Sequence, residues 1–266
     1  MNKLYIKILI TLLLLLILII CIVKSEYITL YNIKIGFIIP TSSNNKNYKD
    51  IKEFSFFTIL INSIKNKLKN NYNYHFYLGY DHDDMFFVNN KQKIIQHFNS
   101  LNLKNSTISM IPMNEQKGDL SSIWSNLADI AIKDDCEYLY QLGDDINIIT
   151  DQWEEAFINK LESQNNIGVV GPTDTHNTLI LTQSFVHKTH LKLFNRYYPK
   201  ELKNYFVDDW ISNVYKPNYY YMFNNIFVKN SGGAPRYKII NNMDLYLNVL
   251  EKSKECLKAK IPTIII

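Results

Sequence analysis

The 266-residue chain contains only three cysteines, which are too few for a disulfide framework. Cys21 lies in an apolar N-terminal segment, and Cys136 and Cys256 could pair, although the sequence does not require it. The chain also lacks a strong excess of either charge, because its formal net charge is only +4. So slight a basic excess does not indicate a nucleic-acid partner. Since 47% of the residues are hydrophobic, the chain can form one sizeable core and one domain.

A long apolar segment, Ile8–Val23, follows Lys3 and Lys7 and ends at Lys24. Counted from Leu4, it reaches about 20 residues, the length that crosses the hydrocarbon core of a bilayer. A cleaved signal peptide is the alternative, but its apolar region is typically about 7–15 residues long and is followed by small residues. The segment therefore predicts an uncleaved transmembrane anchor.

The positive charges that precede this segment predict its orientation, because basic flanks stay on the cytoplasmic side. Everything after Lys24 is then luminal or extracellular, which makes the chain a single-pass type II protein of an ER/Golgi-type membrane. We expect a cytoplasmic tip and anchor over residues 1–24, a short stem over residues 25–32 and one domain over residues 33–266.

Downstream of the stem, apolar strands alternate with amphipathic helices. The expected strands are Ile33–Pro40, Tyr74–Gly79, Ile108–Pro112 and Glu137–Leu142, and helices are expected over Asp50–Leu68, Lys91–Leu101 and from Asp119 onward. This alternation is typical of an α/β domain with a mostly parallel sheet and helices on both faces. Ligands of such sheets bind beyond the carboxyl ends of the strands.

The second half of the chain continues with further elements. We expect a helix opened by a capping box of Asp151 and Glu154, a strand at Ile167–Gly171, a hairpin over Tyr219–Val228 and a closing amphipathic helix at Met243–Leu257. The order of elements therefore predicts a single domain with no internal repeat.

Two pairs of adjacent carboxylates stand out. Asp144 and Asp145 follow the apolar run Tyr138–Leu142, so they lie at the end of a buried strand. Adjacent carboxylates repel each other, and Mg²⁺ or Mn²⁺, which also takes oxygens from a substrate phosphate, is a natural partner. The alternative is a solvated acidic turn. Asp208 and Asp209 lie near the start of a predicted helix, whose dipole favours their ionised form.

The order and spacing of these features resemble the GT-A glycosyltransferases, most nearly the inverting enzymes of glycosyltransferase family 2. The resemblance runs over Ile33–Arg236. The stretches that carry it are Trp124–Ala128 with Tyr138–Asp145, then Gly168–Asp174, then Phe206–Trp210. It implies a GT-A-like fold and transfer of a sugar from a nucleotide-diphosphate sugar, most simply a UDP-sugar, to a hydroxyl of a glycan or protein.

The resemblance also implies roles for the two acidic pairs. Asp145 would be the metal ligand, with Asp144 contacting the metal or the ribose, and the cofactor would be Mn²⁺ or Mg²⁺. Asp209 would be the catalytic base that takes the proton of the acceptor hydroxyl, and Asp208 would be its orienting neighbour.

Further substrate contacts follow from the same resemblance. Pro40, Thr41 and Asp81 would hold the nucleobase and ribose, and Arg236 would close over the diphosphate. Trp210, beside the second acidic pair, is a candidate for stacking on the acceptor.

Two departures from the family pattern keep an alternative open. Gly143 stands where the first carboxylate of the usual Asp-x-Asp motif would be, and no histidine follows His190 to complete a metal site. A catalytically inactive GT-A-like surface or binding protein is therefore the alternative function. A viral polymerase palm also carries Gly-Asp-Asp between two strands, but this chain is too short for fingers, palm and thumb.

Overall fold

The computed structural model describes residues 10–19, 33–233 and 236–264. Within them, eight strands form one sheet in the order β3-β2-β1-β4-β7-β6-β8-β5. The strands are β1 (Lys34–Thr41), β2 (Asn73–Asp81), β3 (Ser106–Met113), β4 (Tyr138–Gln141), β5 (Ile146–Ile148), β6 (Val169–Asp174), β7 (Ser184–His187) and β8 (Tyr220–Asn230).

Helices occupy most of the connections between the strands. Besides a short 3₁₀ helix at Ile51–Glu53, they are α1 (π-helical over Phe56–Ile61, then α-helical over Asn62–Ile64), α2 (Met85–Ser100), α3 (Leu120–Lys133), α4 (Trp153–Glu162), α5 (Thr189–Phe194), α6 (Val207–Tyr215) and α7 (Met243–Ile264). Asp119 caps α3 as its sequence pattern indicates, since its side chain accepts a hydrogen bond from the amide of Ser122. The mixed α/β class predicted from the sequence is confirmed.

The sheet has a parallel half and a mixed half. Strand β1 pairs in parallel with β2 and β4, and β2 pairs in parallel with β3, as the alternation predicts. Strand β7 instead runs antiparallel to both β4 and β6, and β5 runs antiparallel to β8. The predicted hairpin at Tyr219–Val228 is wrong, because β8 is one strand that follows β6 in parallel. The register between β6 and β8 shifts between Pro172 and Thr173, so that Asn224 and Asn225 of β8 have no paired residue on β6.

Apolar side chains cover both faces of the sheet because successive residues of a strand point to opposite sides. Along β1, Phe37 and Ile39 belong to one core cluster, whereas Ile38 belongs to the other. The first cluster includes side chains of α1, α2 and α4, and the second includes side chains of α3, α6 and α7. Helices therefore lie on both faces, as expected.

The predicted capping box before α4 is wrong. The residue that precedes the helix is Gln152, in a left-handed conformation with φ of 62°. Glu154 is fully buried and accepts a hydrogen bond of 2.8 Å from the hydroxyl of Tyr74. Burial raises the pKa of Glu154. Glu154 therefore forms a buried hydrogen bond with Tyr74 instead of capping the helix, because the face of α4 that carries Glu154 packs against the sheet.

The two cysteines of the domain are free thiols. Cys136 is buried with its sulfur 3.5 Å from the hydroxyl of Tyr77, and the sulfur of Cys256 lies 3.6 Å from the carbonyl oxygen of Leu193. The pairing that the sequence left open therefore does not occur.

Residues 10–19 are helical. No helix among the described residues has both the length and the apolar character needed to span a bilayer. The rest of the predicted anchor and the whole predicted stem, residues 1–9 and 20–32, lie outside the described residues.

Candidate active site

A cavity of about 560 Å³ lies at the carboxyl ends of the parallel strands. Pro40 and Thr41 reach it from β1, Asp81 from β2, and Asp144 and Asp145 from the turn after β4. Because neighbouring parallel strands end at the same edge, residues that are distant in sequence meet there. Arg236 and Asp208 also line this cavity, whereas Asp209 and Trp210 do not.

Arg236 forms ion pairs with both carboxylates of the first acidic pair, Asp144 and Asp145. Its Nη2 donates to Asp144 Oδ1 at 2.6 Å and to Asp145 Oδ2 at 3.0 Å, and its Nη1 donates to Asp144 Oδ2 at 3.1 Å. Asp144 is 1% exposed and also accepts a 2.5 Å hydrogen bond from the hydroxyl of Thr41. One guanidinium therefore bridges the two carboxylates.

The charges in this cluster shift one another's pKa values. Burial, followed by the charge of Asp144, raises the pKa of Asp145, although Arg236 opposes the shift. Burial on its own lowers the pKa of Arg236, but the charges of Asp144 and Asp145 outweigh it and raise the net value. The guanidinium thus stays protonated at any working pH.

Tyr237, next to Arg236, contacts the end of the neighbouring strand. Its hydroxyl donates to Asp81 Oδ2 and lies 2.7 Å from the hydroxyl oxygen of Ser42. Burial and the hydrogen bond to Asp81 raise the pKa of Tyr237. The loop that carries Arg236 and Tyr237 therefore contacts both Asp81, which the resemblance assigns to the nucleobase and ribose, and Asp144, which it assigns to the metal or the ribose.

Asp208 is the member of the second acidic pair that lines the cavity. Its Oδ1 is enclosed and has no hydrogen-bond partner among the described residues. Burial, then the charges of Asp209 and Asp174, raises the pKa of Asp208 to about 8. A carboxyl group whose pKa lies near neutral pH is suited to accept and release a proton.

Asp209 does not line the cavity. Burial, and to a smaller extent the charge of Asp209, raises the pKa of Tyr246 in α7. Burial also raises the pKa of Asp209, and a backbone hydrogen bond and the charge of Lys216 oppose that rise. The base role predicted for Asp209 is thus not supported by its position. Successive residues of a helix point about 100° apart, which agrees with Asp208 lining the cavity while Asp209 does not.

Trp210 is 0% exposed and belongs to the second core cluster. Its indole N–H donates to the hydroxyl of Ser253 in α7 at 3.1 Å, and its ring packs edge-on against Phe194 at a centroid distance of 5.2 Å. The prediction that Trp210 stacks on the acceptor is wrong, because no substrate can reach a fully buried ring.

Several cavity residues were not found by sequence reasoning. Tyr205 is 41% exposed and lines the cavity one residue before Phe206, so it presents the accessible ring that Trp210 does not. Other polar residues of the lining that were not predicted include Ser42, Thr182, Gln183, Asn204 and Tyr237. The signals for Tyr205 and Tyr237 were their positions beside the Phe206–Trp210 stretch and Arg236.

A second cavity, of about 610 Å³, shares Thr182, Asn230 and Gly233 with the first. Asp174 lines it and is 2% exposed. The Asp174 carboxylate accepts hydrogen bonds from the hydroxyl of Thr182 at 2.9 Å and from the amide of His176 at 2.9 Å. Because the two cavities share these residues, the second cavity lies directly beside the first.

The carboxylates of the first pair do not fit a divalent cation as they stand. Mg²⁺ demands a near-octahedral set of oxygen ligands, and Mn²⁺ also prefers carboxylates. Both oxygens of Asp144 already accept hydrogen bonds, and Asp145 shares the same guanidinium. Across residues 10–19, 33–233 and 236–264, no group of three His, Cys, Asp or Glu side chains is placed to hold a metal.

No family model matches the sequence, and no curated protein matches it. Among solved structures, the chain is similar to S. aureus TarS 1–349 in complex with UDP-GlcNAc, with 13% identity and a TM-score of 0.56 over 83% of this chain and 65% of that one. It is also similar to TarS 1–349 in complex with UDP, with 14% identity and a TM-score of 0.51 over 74% of this chain and 60% of that one. The chain thus spans less than two thirds of either structure. At these identities the likeness concerns the fold, and it shows that this chain has the GT-A-like fold predicted from its sequence.

Proposed function

We propose that the protein is a glycosyltransferase that moves a sugar from a nucleoside-diphosphate sugar to a hydroxyl group of a glycan or protein. The observation that carries the proposal is the cavity in which a guanidinium-bridged acidic pair and a second, proton-active carboxyl group line the same space. The fold agrees with it, since the similar TarS structures are complexes with UDP-GlcNAc and UDP.

The donor would occupy the end of the cavity nearest β1 and β2. Thr41, Asp81 and Asp144 offer a hydroxyl and two carboxylates, which suit the ribose hydroxyls and the nucleobase of a UDP-sugar. Arg236 carries the positive charge that a diphosphate requires, in a planar fork that matches phosphate oxygens. Pro40 lines the same wall.

Asp208 would be the catalytic base in place of Asp209. The acceptor O–H gives its proton to the Asp208 carboxylate while the acceptor oxygen attacks the anomeric carbon. The bond from that carbon to the diphosphate oxygen breaks, and the nucleoside diphosphate leaves with the bonding electrons. Attack opposite the leaving group inverts the anomeric centre, as the resemblance to family 2 implies.

The acceptor would enter through the second cavity. Its walls carry Asp174, His176, Asn177 and Lys229, which are hydrogen-bonding groups suited to the hydroxyls of a sugar. Tyr205 provides an exposed aromatic ring in the first cavity, and such rings pack against the apolar faces of sugars. The shared wall brings an acceptor hydroxyl toward Asp208.

The nucleotide part of the proposal is tested by thermal unfolding of the full chain in detergent with UDP. A ligand that binds only the folded state at 100 times its Kd stabilises it by about 2.7 kcal/mol. We expect a rise in melting temperature with UDP, and loss of that rise in Asp81→Asn. Asp151→Asn is the matched control, because its carboxylate is 64% exposed and lies beside Lys67 outside the cavity.

If no nucleoside diphosphate raises the melting temperature, the donor assignment is contradicted. It would favour the alternative, a GT-A-like binding protein without transferase activity. That alternative draws its support from Gly143, which replaces a carboxylate of the family motif.

The membrane anchor remains a proposal that rests on the apolar segment Ile8–Val23. We expect the full chain to stay in the membrane pellet after alkaline carbonate extraction, because about 20 apolar residues suffice to span a bilayer. A chain that begins at Ile33 serves as the control and should appear in the supernatant. Release of the full chain by carbonate would refute the anchor and, with it, the type II topology.

A further inference from the structure

The acidic pair of the donor cavity already has its counter-ion. Arg236 donates four hydrogen bonds from its two terminal nitrogens: two to Asp144, one to Asp145 and one to the carbonyl oxygen of Ser42 at 3.3 Å. Its side chain is only 15% exposed, and the same is true of Asp145. The guanidinium therefore lies where a cation shared by the two carboxylates would have to lie.

The backbone just before Arg236, at residues 231–233, packs closely against Asp145. The amide of Ser231 donates to the carbonyl oxygen of Asp145 at 3.0 Å. A Cβ added at Gly232 would overlap the Asp145 carboxylate, so only glycine permits this close approach. Gly233 has a φ of 80°, in the left-handed region that glycine adopts without strain. Tyr237 then holds the far side of the loop to Asp81.

We infer that Arg236 takes the place of a divalent cation at the Asp144–Asp145 pair, so that the site binds its nucleoside diphosphate without metal. A cation and a guanidinium compete for the same carboxylate oxygens, and the guanidinium is covalently attached, so its effective concentration stays high. On entry of the diphosphate, the guanidinium presents its N–H groups to the phosphate oxygens, and donor hydroxyls replace it on Asp144.

The competition predicts that loss of the guanidinium creates a metal site. Mn²⁺ binding to the nucleotide-free full chain can be followed by the loss of the free-ion signal in electron paramagnetic resonance. We expect the wild type to bind Mn²⁺ weakly, and Arg236→Gln to bind it at least 10-fold more tightly. Arg236→Lys is the matched control, because it keeps the charge and should bind Mn²⁺ as weakly as the wild type.

The nucleotide arm of the experiment rests on the proposed function and uses UDP with EDTA or with Mn²⁺, measured by calorimetry. We expect the wild type to have the same Kd for UDP within about 2-fold in both conditions. We expect Arg236→Gln to lose UDP binding in EDTA and to recover part of it with Mn²⁺. Circular dichroism melting of each variant confirms that the measured chain is folded, and Arg236→Ala replaces Arg236→Gln if the latter does not fold.

Two results would overturn the inference: tight stoichiometric Mn²⁺ binding by the wild type with UDP binding that requires it, or no gain of Mn²⁺ binding when Arg236 is removed. Failure of the proposed function looks different. In that case UDP binds under no condition, and the Mn²⁺ measurement alone still decides whether Arg236 holds the carboxylates against a metal.

Discussion

Asp208→Asn is expected to lower kcat for sugar transfer by about 10²–10⁴-fold, the usual contribution of a general base. The Kd for UDP should stay within about 2-fold, since Asp208 is not among the groups assigned to the nucleoside or to the diphosphate. The physical reason is that Asp208 lines the cavity with an enclosed, unpartnered oxygen. Single-turnover kinetics with a nucleotide-sugar and calorimetry with UDP measure the two quantities separately.

Asp209→Asn is the matched control for this prediction. It removes a neighbouring carboxylate without altering a group that lines the cavity. Turnover should therefore stay within a few-fold of the wild type at the pH optimum. A loss of turnover in Asp209→Asn with full activity in Asp208→Asn would restore the assignment that the family resemblance implies.

The pH dependence provides an independent check on the same base. Because the pKa of Asp208 is raised to about 8, kcat/KM should rise with pH and level off above about 8. The charge of Asp209 contributes to that raised pKa, so Asp209→Asn should move the rise to lower pH. A wild-type profile that is flat from pH 6 to pH 9 would speak against Asp208 as the base.

The raised pKa also affects folding stability, and its sign is opposite to that of an ordinary ion-paired aspartate. The folded chain keeps the Asp208 proton at pH values where the unfolded chain has lost it. This contribution is fully present below the unfolded pKa, near 4, and is lost as the pH rises toward about 8. Asp208→Asn has no such proton to lose, so we expect it to unfold at a higher temperature than the wild type at pH 8.

Trp210→Ala is expected to lower the free energy of unfolding by about 3–5 kcal/mol, the usual cost of removing a large buried aromatic ring. Trp210 is fully buried and donates to Ser253, so the variant loses packing between α6 and α7 and leaves the Ser253 hydroxyl without this donor. Urea unfolding measures the loss. The KM of the folded fraction for the acceptor should change little, because the ring does not reach the cavity.

Tyr205→Ala separates an accessible ring from a buried one. Tyr205 is 41% exposed and lines the cavity, so its removal should leave the free energy of unfolding within about 1 kcal/mol of the wild type. The same change should raise the KM for the acceptor. If Trp210→Ala instead kept its stability and had a raised KM for the acceptor, Trp210 rather than Tyr205 would have to face the cavity.

Much of the fold could be predicted because local patterns specify it. The apolar runs that became β1, β2, β3 and β4 alternate with helical patterns, and their parallel pairing follows from that alternation. Asp119 caps α3 through a contact only three residues away. The antiparallel placement of β7 and the single strand β8 were missed, because they depend on pairing partners distant in sequence.

The sequence by itself determined which residue types reach the cavity: carboxylates at the ends of β2 and β4, and an acidic pair at the start of α6. Only the tertiary structure decided which of them work together. The packing of α6 turns Asp208 toward the cavity and buries Trp210, and a loop more than 90 residues along the chain places Arg236 on Asp144 at 2.6 Å. Neither outcome has a local signal, because a helix face and a loop contact are both chosen by what the rest of the fold packs against them.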